Sequence, residues 1–547
     1  MRPPHAVCEL PRWPTSSGLT LPSLSVKRSL PRLRWPLGHL AREAAMEFRE
    51  IDGTGNNKSH ADFNAVNTDF MRLGEAEFSD GGMTPRDGPN AREISNLVVG
   101  QGDAAVENPQ GLSGMMYAWG QFIDHDLDLI SGGTTHFDIT VPAHDQVFQP
   151  GTVIPLTRAE TDPKTGNPIN AITGWLDASM VYGSDAAAAE SLRQPDGHMR
   201  TSSGGNLPIS DGHFVAGDSR AAENPSLTAL QTLFVREHNF QVDRLHAEDP
   251  NLTGDELYQQ ARAITTAEIE HITYDEFLPH LLGGHALSNY KGYDPGVDPR
   301  ISVEFAAAAY RFGHSAVSAE TEKLDEQGNV VGGTLSLRDA FFQSPQDFAA
   351  DSGADGLLRH LAADLSQAMD VRIVDDLRNG LFDPPAVQDL AAINIQRGRD
   401  VGLPHLNEMR ASLGLEPYTA FDQITDDTGT VKALQQAYGS VDAIDLWTGG
   451  LAEKVVPGAF LGSTFQAIVA DQFERLRDGD RLWYENQGFD ADTLQDIRNT
   501  SLKDIILRDT DTHDLQDDVF VFAERRTAGT EPEHPGLPQL IVPDWMA

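Results

Sequence analysis

Residues 115–129, MMYAWGQFIDHDLDL, constrain the fold more than any other stretch of the chain. On a helix, Gln121, Asp124, His125 and Asp128 recur at spacings of three and four and share one face. Asp126 points about 100° away from His125. The same stretch carries Trp119, Phe122, Ile123 and Leu127, which need burial. Burying three acids and a histidine beside them is costly unless each carboxylate finds a partner. A polar helix face would account for an isolated His–Asp pair. This density of acids among bulky apolar residues points instead to a built site, and the fold must enclose it.

The remainder of the chain predicts how. The 547 residues are enough for several domains or one unusually large one. No repeat period and no clean linker divide them, and helical periodicity dominates. Leu227, Leu230, Phe234, Val242 and Leu245 lie near one face of a helix. Tyr258–Leu278, stopped by Pro279, and Leu357–Leu377 also read as helices. Strand-like alternation is short and scarce. The expected fold is therefore mainly α: one large helical domain over 46–526, with long Gly/Asp/Pro-rich loops and little β structure. A helical domain with so much loop usually organises itself around something, such as a cofactor.

Composition narrows the function. With 41 Lys+Arg against 82 Asp+Glu, the net charge of −41 leaves no basic face for nucleic acid or an anionic membrane surface. No stretch approaches the roughly 18 uninterrupted apolar residues of a membrane span. One cysteine, Cys8, excludes an intramolecular disulfide framework and any cysteine-cluster metal site. A disulfide-linked dimer could form only through that residue, and a monomer is the expected state. Residues 1–45 differ from the rest, with seven Lys/Arg against two acids and seven prolines. The prolines break every apolar stretch that could serve as a secretory signal. The segment is expected to be disordered, or to precede a true start at Met46. Residues 527–547, with four prolines, read as an irregular tail.

A second histidine, His314, sits in FAAAAYRFGHS (305–315), with Gly313 before it and Arg311 one turn earlier. A lean helix face, with glycine allowing close approach, suits axial ligation of a planar metal cofactor, although a core histidine would look the same. In DLAAINIQRGRD (389–400), Asn394 could orient an imidazole and Arg397 could face acidic substituents.

Taken with DGTGNN (52–57), REISN (92–96), WGQFIDHDLD (119–128), LDASMVYGS (176–184), AGDSRAAEN (216–224), LFVREHN (233–239), YRFGHS (310–315), INIQRGRD (393–400) and LRDGDRLWYEN (476–486), in that order, the sequence resembles the animal-type haem peroxidases of the peroxidase–cyclooxygenase superfamily, in a bacterial-type form. The resemblance runs from about Phe48 to Phe522 and implies a haem b cofactor. By it, His125 is the distal base, Arg220 the distal arginine, and Gln121 the glutamine that holds water or halide. His314 is the proximal iron ligand, and Asn394 bonds its other nitrogen. Arg311 and Arg397 pair with haem propionates, though a surface ion pair competes for either. Asp124 and Glu223 match the two carboxylates esterified to haem methyls, and Asn224 replaces the methionine of a third, sulfonium link. Thr173, Trp175 (by its carbonyl), Asp177 and Ser179, joined by Asp126, match a calcium loop of oxygen ligands. The implied activity is reduction of hydrogen peroxide with oxidation of small donors: bromide, iodide, thiocyanate or phenols, rather than chloride. A role in the response to oxidative stress and an extracellular or periplasmic location go with it. The alternatives are a fatty-acid dioxygenase of the same superfamily, or a non-catalytic haem-containing adhesion or matrix protein. The dioxygenase branch places a radical-forming tyrosine three residues before the proximal histidine, where this chain has Arg311, with Tyr310 one residue too early.

Overall fold

The structure, a computed structural model, describes residues 46–101, 106–380 and 387–523. The expectations made for 1–45 and 527–547 lie outside those residues. The fold is mainly helical. Among the described residues the strands form only two-stranded antiparallel sheets, the longest pairing Glu320–Leu324 with Val330–Ser336.

Helix α1 (Met115–Leu127) is enclosed on nearly every side. Its apolar residues Trp119 and Phe122 meet Phe234 of α2 (Pro225–Glu248), the two phenylalanines stacking at 5.2 Å. Asn224 caps α2 by accepting from the Leu227 amide, and Pro225 occupies the first turn, where its missing N–H costs nothing. Helix α3 (Gly254–Ile272) opens with a reciprocal capping box between Thr253 and Glu256 and packs along α2.

Three expectations need correction. Pro279 does not stop the helix after α3. The chain widens into a π-turn at Thr273–Phe277 and continues as α4 (Leu278–Leu282), where proline sits in the first turn and is tolerated. The helix expected at Leu357–Leu377 is instead Gly353–Ala363, because Asp364 is held elsewhere. Its carboxylate accepts from Tyr117 and Ser318, and its carbonyl from the Gly114 amide at the start of α1. The segment before His314 is not one lean helix. It breaks at Ala308 (φ −138°, ψ −70°) into α5 (Val303–Ala307), a 3₁₀ turn (Ala309–Phe312) and the single turn α6 (Gly313–Ala316).

A Cβ at Gly120 on α1 would stand 3.3 Å from the Phe312 ring, so the two histidine-bearing segments meet there, while Gly313 borders open space. Helix α7 (Leu390–Asp400), capped by Asp389, completes the wall behind His314. No helix among the described residues is long and apolar enough to cross a membrane.

Candidate active site

A cavity of about 400 Å³ opens between these segments. Helix α1 contributes Gln121, Asp124 and His125 to its wall, and the loop before α2 contributes Arg220, Glu223 and Asn224. Arg311 and His314 enter from the broken segment, and Arg397 from α7. Residues as far apart in sequence as Tyr117 and Arg397 thus share one enclosure.

Both histidines are neutral. Burial, reinforced by the Arg220 cation, pushes His125 down to about 3. Burial, with Arg311 nearby, pushes His314 down to about 3. Their hydrogen bonding differs. His125 Nδ1 is buried without a hydrogen-bond partner, the nearest carboxylate being Asp218 at 3.7 Å. His314 Nδ1 lies 2.9 Å from Asn394 Nδ2. The Asn394 amide is itself held by Arg311, whose Nη1 donates to Oδ1 at 2.8 Å. With the amide in this sense, Nδ1 of His314 is the acceptor.

Arg220 is fixed by Asp218, which accepts from its Nε and Nη2 at 2.9 Å each, and by the Asp128 carbonyl at 3.0 Å. Its Nη1 is directed elsewhere and lies 3.9 Å from Asp124. Asp124 and Glu223 are both raised to about 6, chiefly by burial. Gln121 accepts from the Asn224 amide at 2.7 Å, so Asn224 braces the glutamine as well as capping α2. Arg397 is paired with Asp400 inside the fold, not at the surface, while Arg311 has no carboxylate within salt-bridge distance among the described residues.

Asp128 departs from expectation. It caps α1 in extended backbone (φ −150°) and does not share the helical face of Gln121 and Asp124, yet it still lines the cavity. Asp218 was missed by reading the sequence. It sits two residues before Arg220 in AGDSRAAEN, a spacing that lets one carboxylate take both the Arg220 amide (2.7 Å) and its guanidinium.

Beside α1, Asp126, Thr173, Asp177 and Ser179 form a second cluster, all buried. Thr173 donates to Asp177 at 3.0 Å and Ser179 to Asp126 at 2.8 Å. Burial and the Asp177 carboxylate raise Asp126 to about 8. Ala178 takes a left-handed conformation (φ 61°) that lets its amide reach Asp126, a strained turn for an alanine. Trp175 lies in the same turn and donates to the Gly53 carbonyl, joining DGTGNN to it.

The family profile described as animal haem peroxidase matches residues 48–520. The chain belongs to the animal haem peroxidase family. It is 33% identical to the peroxidasin homolog pxn-2 of Caenorhabditis elegans over 91% of its own length and spans 44% of that relative. The solved structure of peroxidase A from Dictyostelium discoideum superposes with a TM-score of 0.80 at 30% identity, covering 87% of this chain and all of that one. A fatty acid alpha-dioxygenase from Arabidopsis thaliana superposes at 0.77 with 22% identity, over 89% of this chain and 84% of that one, a likeness of fold. Membership implies a haem cofactor.

Proposed function

We propose that the protein is a haem-dependent peroxidase that reduces hydrogen peroxide and oxidises bromide, iodide, thiocyanate or phenols. The observation that carries the reading is a single cavity bounded by two neutral histidines, His125 buried and His314 half-buried, with opposite hydrogen bonding. The residues fit a haem. An imidazole with an available ring nitrogen stands on one wall, an unpartnered imidazole on another, and cationic Arg311 and Arg397 suit acidic substituents. His314 would hold the iron through Nε2, which calls for a proton on Nδ1 and hence the opposite sense of the Asn394 amide. Bound there, haem supplies the metal on which peroxide is cleaved and which draws electrons from donors one at a time.

The remaining work falls to side chains. His125, a neutral imidazole on the cavity wall, takes a proton from the near oxygen of peroxide and returns it to the departing one. Arg220, locked by Asp218, keeps its charge toward the developing hydroxide. Gln121, braced by Asn224, orients water or halide. Asp124 and Glu223, both raised to about 6 by burial, would form ester bonds to haem methyls, and Asn224 would leave the third link unmade. Asp126 and Asp177, two buried acids in contact with Thr173 and Ser179, would hold Ca²⁺ together with the Trp175 carbonyl; the like charges need a cation between them.

Expression with haem, followed by extraction into acidified organic solvent, tests cofactor and chemistry together. Haem retained by the protein and bromide- or phenol-dependent peroxide consumption are expected. Free extraction of all haem would remove the ester links, and no donor-dependent consumption would remove the peroxidase.

One observation favours the fatty-acid dioxygenase as a second reading: Tyr310 lines the cavity with its hydroxyl unpartnered, although it is four residues before His314. Oxygen uptake on adding a long-chain fatty acid would support that branch, and its absence would leave the peroxidase.

A further inference from the structure

Five aromatic side chains from four separate segments make a continuous file from the cavity to the surface. Tyr310 lines the cavity. Its ring centroid lies 5.7 Å from Phe473, which lies 5.8 Å from Tyr274. Tyr274 stands 4.7 Å from Trp483, and Trp483 stands 6.1 Å from Tyr290. Tyr290 is half-buried on a stretch whose neighbours Ser288 and Asn289 are exposed. The Arg477 guanidinium covers one face of its ring at 5.4 Å, and the Asn486 amide donates to its hydroxyl, so the ring is held in place.

Packing alone does not explain the residue types. The Tyr310 hydroxyl and the Trp483 indole N–H are buried with no hydrogen-bond partner, a cost that phenylalanine at either position would avoid. What tyrosine and tryptophan offer beyond phenylalanine is an electron that can be removed and restored.

We propose that this file carries electrons inward from Tyr290, making the surface around it a second oxidation site for phenols too large to enter the cavity. The proposal rests on the peroxidase reading, with hydrogen peroxide as the oxidant. Cleaving its O–O bond takes up two electrons and two protons and leaves two waters. Each electron is withdrawn through Trp483, Tyr274 and Tyr310 from the Tyr290 phenol, whose proton passes to solvent. The Tyr290 phenoxyl then removes a hydrogen atom from an external phenol and is restored. One peroxide thus converts two phenols to two phenoxyl radicals and two waters.

The test uses the haem-loaded protein with three donors: iodide, a free phenol, and tyramine grafted directly onto dextran. Tyr290→Phe is expected to slow oxidation of the grafted phenol about tenfold or more and to leave the iodide rate within about twofold. Trp483→Phe, which keeps Tyr290 but interrupts the file, is expected to give the same selective loss; unchanged haem absorption and melting temperature establish that each variant folds. A readout independent of turnover is peroxide without donor. Dityrosine should form at Tyr290, located by mass spectrometry, and vanish in both variants. Equal rates on the grafted phenol in wild type and Tyr290→Phe, or dityrosine absent from Tyr290, would overturn the relay while iodide turnover upheld the peroxidase. Absence of iodide turnover as well would overturn both.

Discussion

The two histidines of the cavity have the same protonation state and opposite surroundings. His125 rides on a continuous helix, α1, and its Nδ1 touches no hydrogen-bonding partner. His314 sits on one turn of helix beyond a break, and its Nδ1 lies against the Asn394 amide. An imidazole that must accept and release a proton needs a free nitrogen and a fixed backbone. One that must hold a metal needs its far nitrogen tethered, and its backbone can be irregular. Under the proposed function, the difference would put chemistry on the first side and anchoring on the second.

Substitutions that respect this division should separate the two roles. His125→Leu is expected to slow peroxide consumption by about 10²–10⁴-fold with haem content unchanged, followed by stopped flow. Loss of haem in that variant would break the division. Arg220→Leu should cost about 10²–10³-fold in the same assay, again without haem loss. Asn394→Ala belongs to the anchoring side and should weaken haem retention about 10–100-fold in a competition with apomyoglobin. Calcium chelation should act through Asp126, next to His125, and lower peroxide reactivity about fivefold, the lower end for coupled sites. Unchanged reactivity and absorption after complete calcium removal would sever the calcium loop from the first side.

The division was partly legible in the sequence, for reasons that differ between its halves. Residues 115–129 announce themselves because acids and large apolar residues crowd one helix, a pattern that local spacing resolves. The break at Ala308 has no such signature: the run Ala306–Ala309 favours continuous helix, and tertiary packing around Phe312 and Gly120 overrides it. Asp128 leaves α1 to give its carbonyl to Arg220, 92 residues away, so its position depends on a contact that spacing does not encode. Asp218 could have been found, since an Asp two residues before an Arg is within reach of both its amide and its side chain. The aromatic file could not, because Tyr274, Tyr290, Tyr310, Phe473 and Trp483 become neighbours only once the helices pack.

The most direct test of the division is the iron–imidazole stretching band of the ferrous haem protein, recorded by resonance Raman in wild type, His314→Gly and His125→Leu. The band is expected to persist in His125→Leu and to disappear in His314→Gly, returning at a shifted frequency when free imidazole is added. A band that survives loss of His314, or is lost with His125, would contradict the division.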